Sequence, residues 1–182
     1  MQKGISLMGV TKAVLGEPSV AKAMIQGGDK FIADSRIENI QKMKSAGIST
    51  QFVLLRTPLS HAESIVKNAD ISLNTEIETL KNLSYHAKIQ NKIHKVIIMV
   101  ELGDLREGLV PYDLPQFVRE TLALPNLKII GVGCNLACYG GIKPDDKNIR
   151  EFSEIVTLLE KEFQIDLEII SGGNSANYEW FK

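Results

Sequence analysis

The chain has 182 residues, 44% of them apolar and 24% charged, the composition of an ordinary globular protein with enough length for one buried core. A net charge of −1 provides no field to attract nucleic acid or an anionic membrane, and no apolar run approaches the roughly 18 residues of a membrane helix. Cys134 and Cys138 cannot build a disulfide framework, and His61, His86 and His94 never fall at metal-ligand spacing, so a reducing, cytoplasmic setting without a metal is expected.

Seven short apolar runs recur, each followed by a helical pattern: Ile5–Val14, Lys30–Asp34, Thr50–Leu55, Ile71–Asn74, Lys95–Glu101, Lys128–Asn135 and Leu167–Ser171. Runs as continuous as Val96-Ile97-Ile98-Met99-Val100 are those of parallel strands covered on both faces. Between them, Ser35-Arg36-Ile37-Glu38 and Thr75-Glu76-Ile77-Glu78 have the form of capping boxes. Pro18, Pro58, Pro115 and Pro144 sit near helix starts, and Gly27-Gly28 and Gly47 near helix ends. Ile149, Phe152, Ile155, Val156 and Leu159 mark the buried face of the longest late helix.

Strict alternation of strand and helix means a parallel sheet, and the absence of G-x-G-x-x-G after the first strand weakens the dinucleotide-binding version. The expected fold is an α/β barrel of the (β/α)8 type with seven of eight units, residues 1–182 forming one incomplete barrel domain. Apolar edges at the first and last strands, with Trp180 and Phe181 beyond, make association with further chain or with a second copy, a homodimer, the expectation.

In such folds chemistry sits where strands end and loops begin. The first candidate is Lys12, in Gly9-Val10-Thr11-Lys12, on the strand face shared with Met8 and Val10. If buried there, its amine is desolvated and its pKa lowered, as attack on an aldehyde requires; alternatively it reaches out of the strand end into solvent. The second is Ser171-Gly172-Gly173-Asn174-Ser175-Ala176-Asn177, directly after the seventh strand. There, backbone N–H groups and the Asn174 and Ser175 side chains can hold a phosphate, or the glycines serve a plain turn.

The third is Arg106, in Glu101-Leu102-Gly103-Asp104-Leu105-Arg106-Glu107-Gly108, which either clamps an anion or pairs with Asp104 or Glu107. The fourth is Gly131-Val132-Gly133-Cys134-Asn135-Leu136-Ala137-Cys138-Tyr139-Gly140-Gly141, where Asn135 and Tyr139 can reach into a site, and Cys138 is either a proton donor or a small buried residue.

Together these segments, with Asp34-Ser35-Arg36-Ile37-Glu38-Asn39-Ile40, resemble the alanine racemase superfamily, most closely its amino-acid racemase branch that includes ornithine racemase. The resemblance implies pyridoxal 5'-phosphate at the barrel mouth, held as a Schiff base by Lys12, which also acts as one base in racemising a small amino-acid substrate. It implies phosphate contacts from Gly172, Gly173, Asn174 and Ser175, and a place for Arg106 and Asn135 beside the cofactor. Tyr139 and Cys138 are the candidates within the chain for the second base. Three departures are expected: Gly16 occupies the place of a tyrosine that reaches the phosphate in alanine racemase, and the sequence does not extend to the family's eighth-strand arginine or to its C-terminal β domain. The alternative that the resemblance allows is a single-domain pyridoxal-phosphate carrier with the same barrel and no turnover.

Overall fold

Alternating inward and outward side chains on one parallel sheet generate the architecture of the computed structural model. Seven strands pair in sequence order: β1 Met8–Val10, β2 Phe31–Asp34, β3 Gln51–Leu54, β4 Ile71–Asn74, β5 His94–Val100, β6 Leu127–Cys134 and β7 Ile169–Ser171. All pairings are parallel. Each strand leads into a helix: α1 Pro18–Gln26, α2 Ile37–Ser45, α3 Ala62–Asn68, α4 Ile77–Ile89, α5 Leu114–Leu122, α6 Asp146–Phe163 and the short α7 Asn177–Phe181. The structure describes residues 4–105, 107–137 and 141–181, the side chains of 180 and 181 excepted. Arg106, Cys138 and Tyr139, and the apolar surface expected of Trp180 and Phe181, thus lie outside the described residues.

The sheet curls about an inner cluster of Ala33, Val53, Ile71, Ile97, Met99 and Ile130. Their strand neighbours Ile32, Phe52, Val96, Ile98 and Val132 point the other way and pack under helix residues such as Ile40, Ile65, Leu83 and Phe152. Two apolar faces per strand explain the unbroken apolar runs. This is the expected (β/α) barrel with seven units, a partial barrel in which β1 and β7 each pair on one side only.

Local expectations divide. The Ile71–Asn74 strand matches residue for residue, whereas the first strand is three residues long, because Ile5, Leu7 and Val14 are exposed and Lys12–Val14 turns into a 3-10 helix. Neither expected capping box forms: α2 and α4 begin one residue later, with Arg36 and Glu76 at the N-cap and no side-chain cap bond. At α2 a different group takes the role, since the Asp34 carboxylate accepts from the Arg36 N–H at 3.0 Å. A reciprocal capping box does form on α6, between Asp145 and Asn148. Pro18 opens α1 and Pro115 is the second residue of α5, while Pro58 and Pro144 stand just before their helical segments.

Under the helices, at the start of β5, His94 is buried and its Nε2 lies 2.8 Å from the Ser72 hydroxyl. Asn74 Nδ2 donates to Ser72 Oγ at 3.0 Å, so the hydroxyl links the carboxamide to the imidazole. Burial, with Lys92 nearby, pushes the His94 pKa down from 6.5 to about 4. The unfolded chain therefore takes up a proton that the folded chain refuses between about pH 6.5 and about pH 4. Stability is full above that window and falls by about 3 kcal/mol as pH drops through it. Urea unfolding should show this loss in the native sequence and most of it removed in His94→Gln; an unchanged pH slope in the variant would contradict the assignment.

Candidate cofactor and active site

Because every strand runs the same way, the residues that follow the strands gather at one rim. Around it stand Lys12 after β1, Asp34 at the end of β2, Arg56 after β3, Asn74 at the end of β4, the 101–108 loop after β5, Asn135 after β6 and Gly172 after β7.

Lys12 is the first residue of the 3-10 turn and is exposed, so the burial that a strand-interior position implied is not what the fold provides. Its neighbour Thr11 is fully buried. The Thr11 N–H donates to Ala33 O at 2.9 Å, and Thr11 O accepts from Val14 N at 3.0 Å and Gly16 N at 3.2 Å. The Thr11 hydroxyl lies 2.8 Å from Asp34 Oδ2 and 3.2 Å from Ala33 O. Gly16 has φ +62°, and a Cβ there would come within 2.7 Å of Asn39 Cβ. A side chain at this place thus has no room here.

The 101–108 loop leaves β5 and returns to it: Glu101 N donates to Leu109 O at 2.9 Å, and Leu109 N donates to Met99 O at 2.8 Å. Glu101 Oε1 accepts the N–H groups of Gly103 and Leu105, which shapes the segment that carries Arg106. Beyond it, the Glu107 carboxylate lies 3.3 Å from Asn135 Nδ2 and 4.0 Å from Arg56 Nε, joining the β3, β5 and β6 ends. Ser35, Arg56, Thr57, Asn74, Met99 and Glu107 help line a cleft of about 420 Å³ at this rim. Among the described residues Asn74 Oδ1 is a buried acceptor with no donor. Sequence reading missed Arg56, a lone arginine after a strand that carries no motif.

The loop after β7 is held by its own side chains. Asn174 Nδ2 donates to Leu136 O at 2.9 Å, which ties it to the β6 end, and Asn174 Oδ1 accepts from Ala176 N at 2.8 Å. Asn177 Oδ1 accepts from Asn174 N at 2.9 Å and Asn177 Nδ2 donates to Gly172 O at 2.9 Å. Gly173 has φ +141°, and a Cβ there would collide with the Asn177 carboxamide, so glycine is required by the turn itself. Asn177 was in the segment singled out from the sequence, but its role was not foreseen.

The N–H groups of Gly172, Gly173 and Ser175 meet no acceptor among the described residues, and the space beside Gly172 is open. Three such donors beside an open approach fit a phosphate group. Ser175 is exposed, and Asn174 reaches an anion less readily than expected because both ends of its amide are engaged. Lys12 and this loop stand at the two edges of the sheet, and no hydrogen bond or ion pair joins them among the described residues.

Cys134 is buried on the outer face among core residues, and burial pushes its thiol up to about 12, so it stays protonated and packs as a small apolar side chain. No cluster of three metal-ligating side chains occurs among the described residues. At the opposite end of the sheet a smaller cleft of about 240 Å³, lined by Leu127, Lys128 and Glu168 among others, carries none of the candidate residues.

Comparison with known proteins follows this geometry. The model of the family described as "Alanine racemase, N-terminal domain" matches residues 1–182. The chain is 43% identical over 170 residues to the ornithine racemase of Acetoanaerobium sticklandii, covering 92% of the chain and 48% of that protein. It is 35% identical over 175 residues to the lysine racemase of Thermotoga maritima, covering 96% and 49%. Alanine racemase of Clostridium difficile 630, solved with cycloserine, superposes with a TM-score of 0.84 at 20% identity, over 97% of this chain and 50% of that one. PipY of Synechococcus elongatus, solved without PLP, gives 0.75 at 15% identity, over 91% and 80%. The chain spans about half the length of the curated relatives it matches. With a whole-chain family match and a relative 43% identical across 92% of this chain, the chain belongs to the alanine racemase N-terminal domain family.

Proposed function

We propose that this chain forms the cofactor-binding part of a pyridoxal-phosphate-dependent amino-acid racemase, with Lys12 as the residue that holds the cofactor and acts as one base. The observation that carries the proposal is an exposed lysine directly after β1, on the same rim as three loop N–H donors after β7. Pyridoxal phosphate, when bound, supplies the electron sink that makes the substrate α-proton removable.

The chain's own residues do the rest. Gly172, Gly173 and Ser175 direct N–H groups at a phosphate, and Asn177 and Asn174 fix the loop that presents them. With its amine free, Lys12 would take or return the α-proton on its side of the mouth. Arg106, Tyr139 and Cys138 remain the candidates on the other loops, the first for an anionic group and the others for the second proton transfer. Asn135 braces Glu107 at the rim.

A basic amino acid is the substrate class we favour, because the two relatives above are an ornithine and a lysine racemase. The cleft agrees with it, since Glu107 lines it with a carboxylate suited to an ammonium end. A homodimer belongs to the same reading, because β1 and β7 each present one unpaired side; sedimentation velocity measures it.

Exchange of the α-proton of ornithine or lysine into deuterated solvent tests the proposal. Exchange should occur with both enantiomers and fall by at least about a hundredfold in Lys12→Ala. A protein that binds the cofactor yet exchanges no amino acid would be a carrier, and the enzymatic reading would be lost.

The phosphate site has its own test at Gly172, where a side chain meets nothing and the backbone is unstrained. Gly172→Val should leave the melting temperature unchanged while weakening pyridoxal phosphate binding about tenfold, since a side chain there blocks close approach of the anion. Undiminished affinity would move the phosphate elsewhere.

A further inference from the structure

Asp34 is a carboxylate with no exposed surface, and every partner it shows is a neutral dipole. Its Oδ1 accepts from Arg36 N at 3.0 Å and from Asn39 Nδ2 at 2.8 Å, while its Oδ2 accepts from Thr11 Oγ1 at 2.8 Å. Burying a carboxylate costs several kcal/mol unless donors surround it. An apolar side chain facing Met43, whose sulfur lies 3.8 Å from Thr11 Oγ1, would serve packing alone.

The partners of this carboxylate sit at both ends of the turn that carries Lys12. Thr11 is the first residue of the turn, and its carbonyl receives both Val14 N and Gly16 N. Gly16 is the last, and it abuts Asn39, the same residue whose amide donates to Asp34. Leu15, between them, is left-handed at φ 52° and its carbonyl lies 3.4 Å from Lys42 Nζ. A six-residue loop, Thr11 to Gly16, is thus held at its start through a hydroxyl and backed at its end by a helix residue, with one carboxylate behind both.

We infer that Asp34, acting through Thr11 and Asn39, is the positioning residue for Lys12: it fixes the turn so that the lysine amine meets the carbonyl carbon of the cofactor. This rests on the reading that Lys12 holds the cofactor. The Asp34 carboxylate bonds Thr11, the Arg36 N–H and Asn39 and not the Lys12 amine, so its effect should appear only where bond formation with Lys12 contributes to binding.

Two forms of the cofactor separate these contributions. Pyridoxal 5'-phosphate has the aldehyde that lysine attacks, and pyridoxine 5'-phosphate has an alcohol in its place. Thr11→Val keeps the shape and removes the hydroxyl, while Thr11→Ser keeps it. In the full-length protein, Thr11→Val should weaken the aldehyde form about tenfold, the loss expected for one hydrogen bond to a charged group. It should leave the alcohol form within about twofold of the native protein, and Thr11→Ser should restore the native preference. Equal losses of both forms, or no loss of either, would overturn the positioning role. Asn39→Leu, which removes the second donor at the far end of the turn, should reproduce the selective loss if Thr11→Val does not fold. If Lys12→Ala itself keeps the native preference for the aldehyde, the assignment of Lys12 fails instead, and the two failures are distinct.

Discussion

Parallel pairing in strict sequence order is the constraint on which this molecule depends. It forces a helix crossover after every strand, gives each strand two covered faces and sends every strand end to one rim. The inner face closes on Ala33, Val53, Ile71, Ile97, Met99 and Ile130, so the interior is packed and carries no chemistry. Three polar side chains that a core would not choose, Thr11, Asp34 and Asn74, are buried where strands finish.

That placement has a physical cost that packing does not require. A buried carboxylate without a cation is held only by oriented dipoles, and replacing one such group with an apolar side chain is often neutral or stabilising. Asp34 spends three donors to hold a turn whose next residue is an exposed lysine. The 101–108 loop follows the same pattern, with Glu101 folding the backbone around the segment that bears Arg106. The loop after β7 does so with Asn177. In each case a polar side chain shapes backbone next to a residue singled out for chemistry.

The architecture was legible in the sequence because two-faced burial leaves unbroken apolar runs, and β4 is the clearest instance. The first strand was read too long because Ile5, Leu7 and Val14 are apolar yet exposed, and periodicity cannot tell a covered run from an uncovered one. Lys12 and the glycine loop stood out by residue type and position, whereas Thr11 did not. Its partner Asp34 lies 23 residues away, and only the register of β1 against β2 brings them together. The capping boxes misled for a related reason, since a carboxylate at the end of β2 took a role that the local pattern assigned to Ser35. Arg56 carries no local signal and is found only through its nearness to Glu107.

The central claim is that Lys12 is the residue that carries pyridoxal phosphate. Incubating the protein with the cofactor, reducing with borohydride and mapping the labelled peptide tests it most directly. The account predicts a single label on Lys12, lost in Lys12→Ala together with absorption near ~420 nm. A label on another lysine, with that absorption retained in Lys12→Ala, would contradict it.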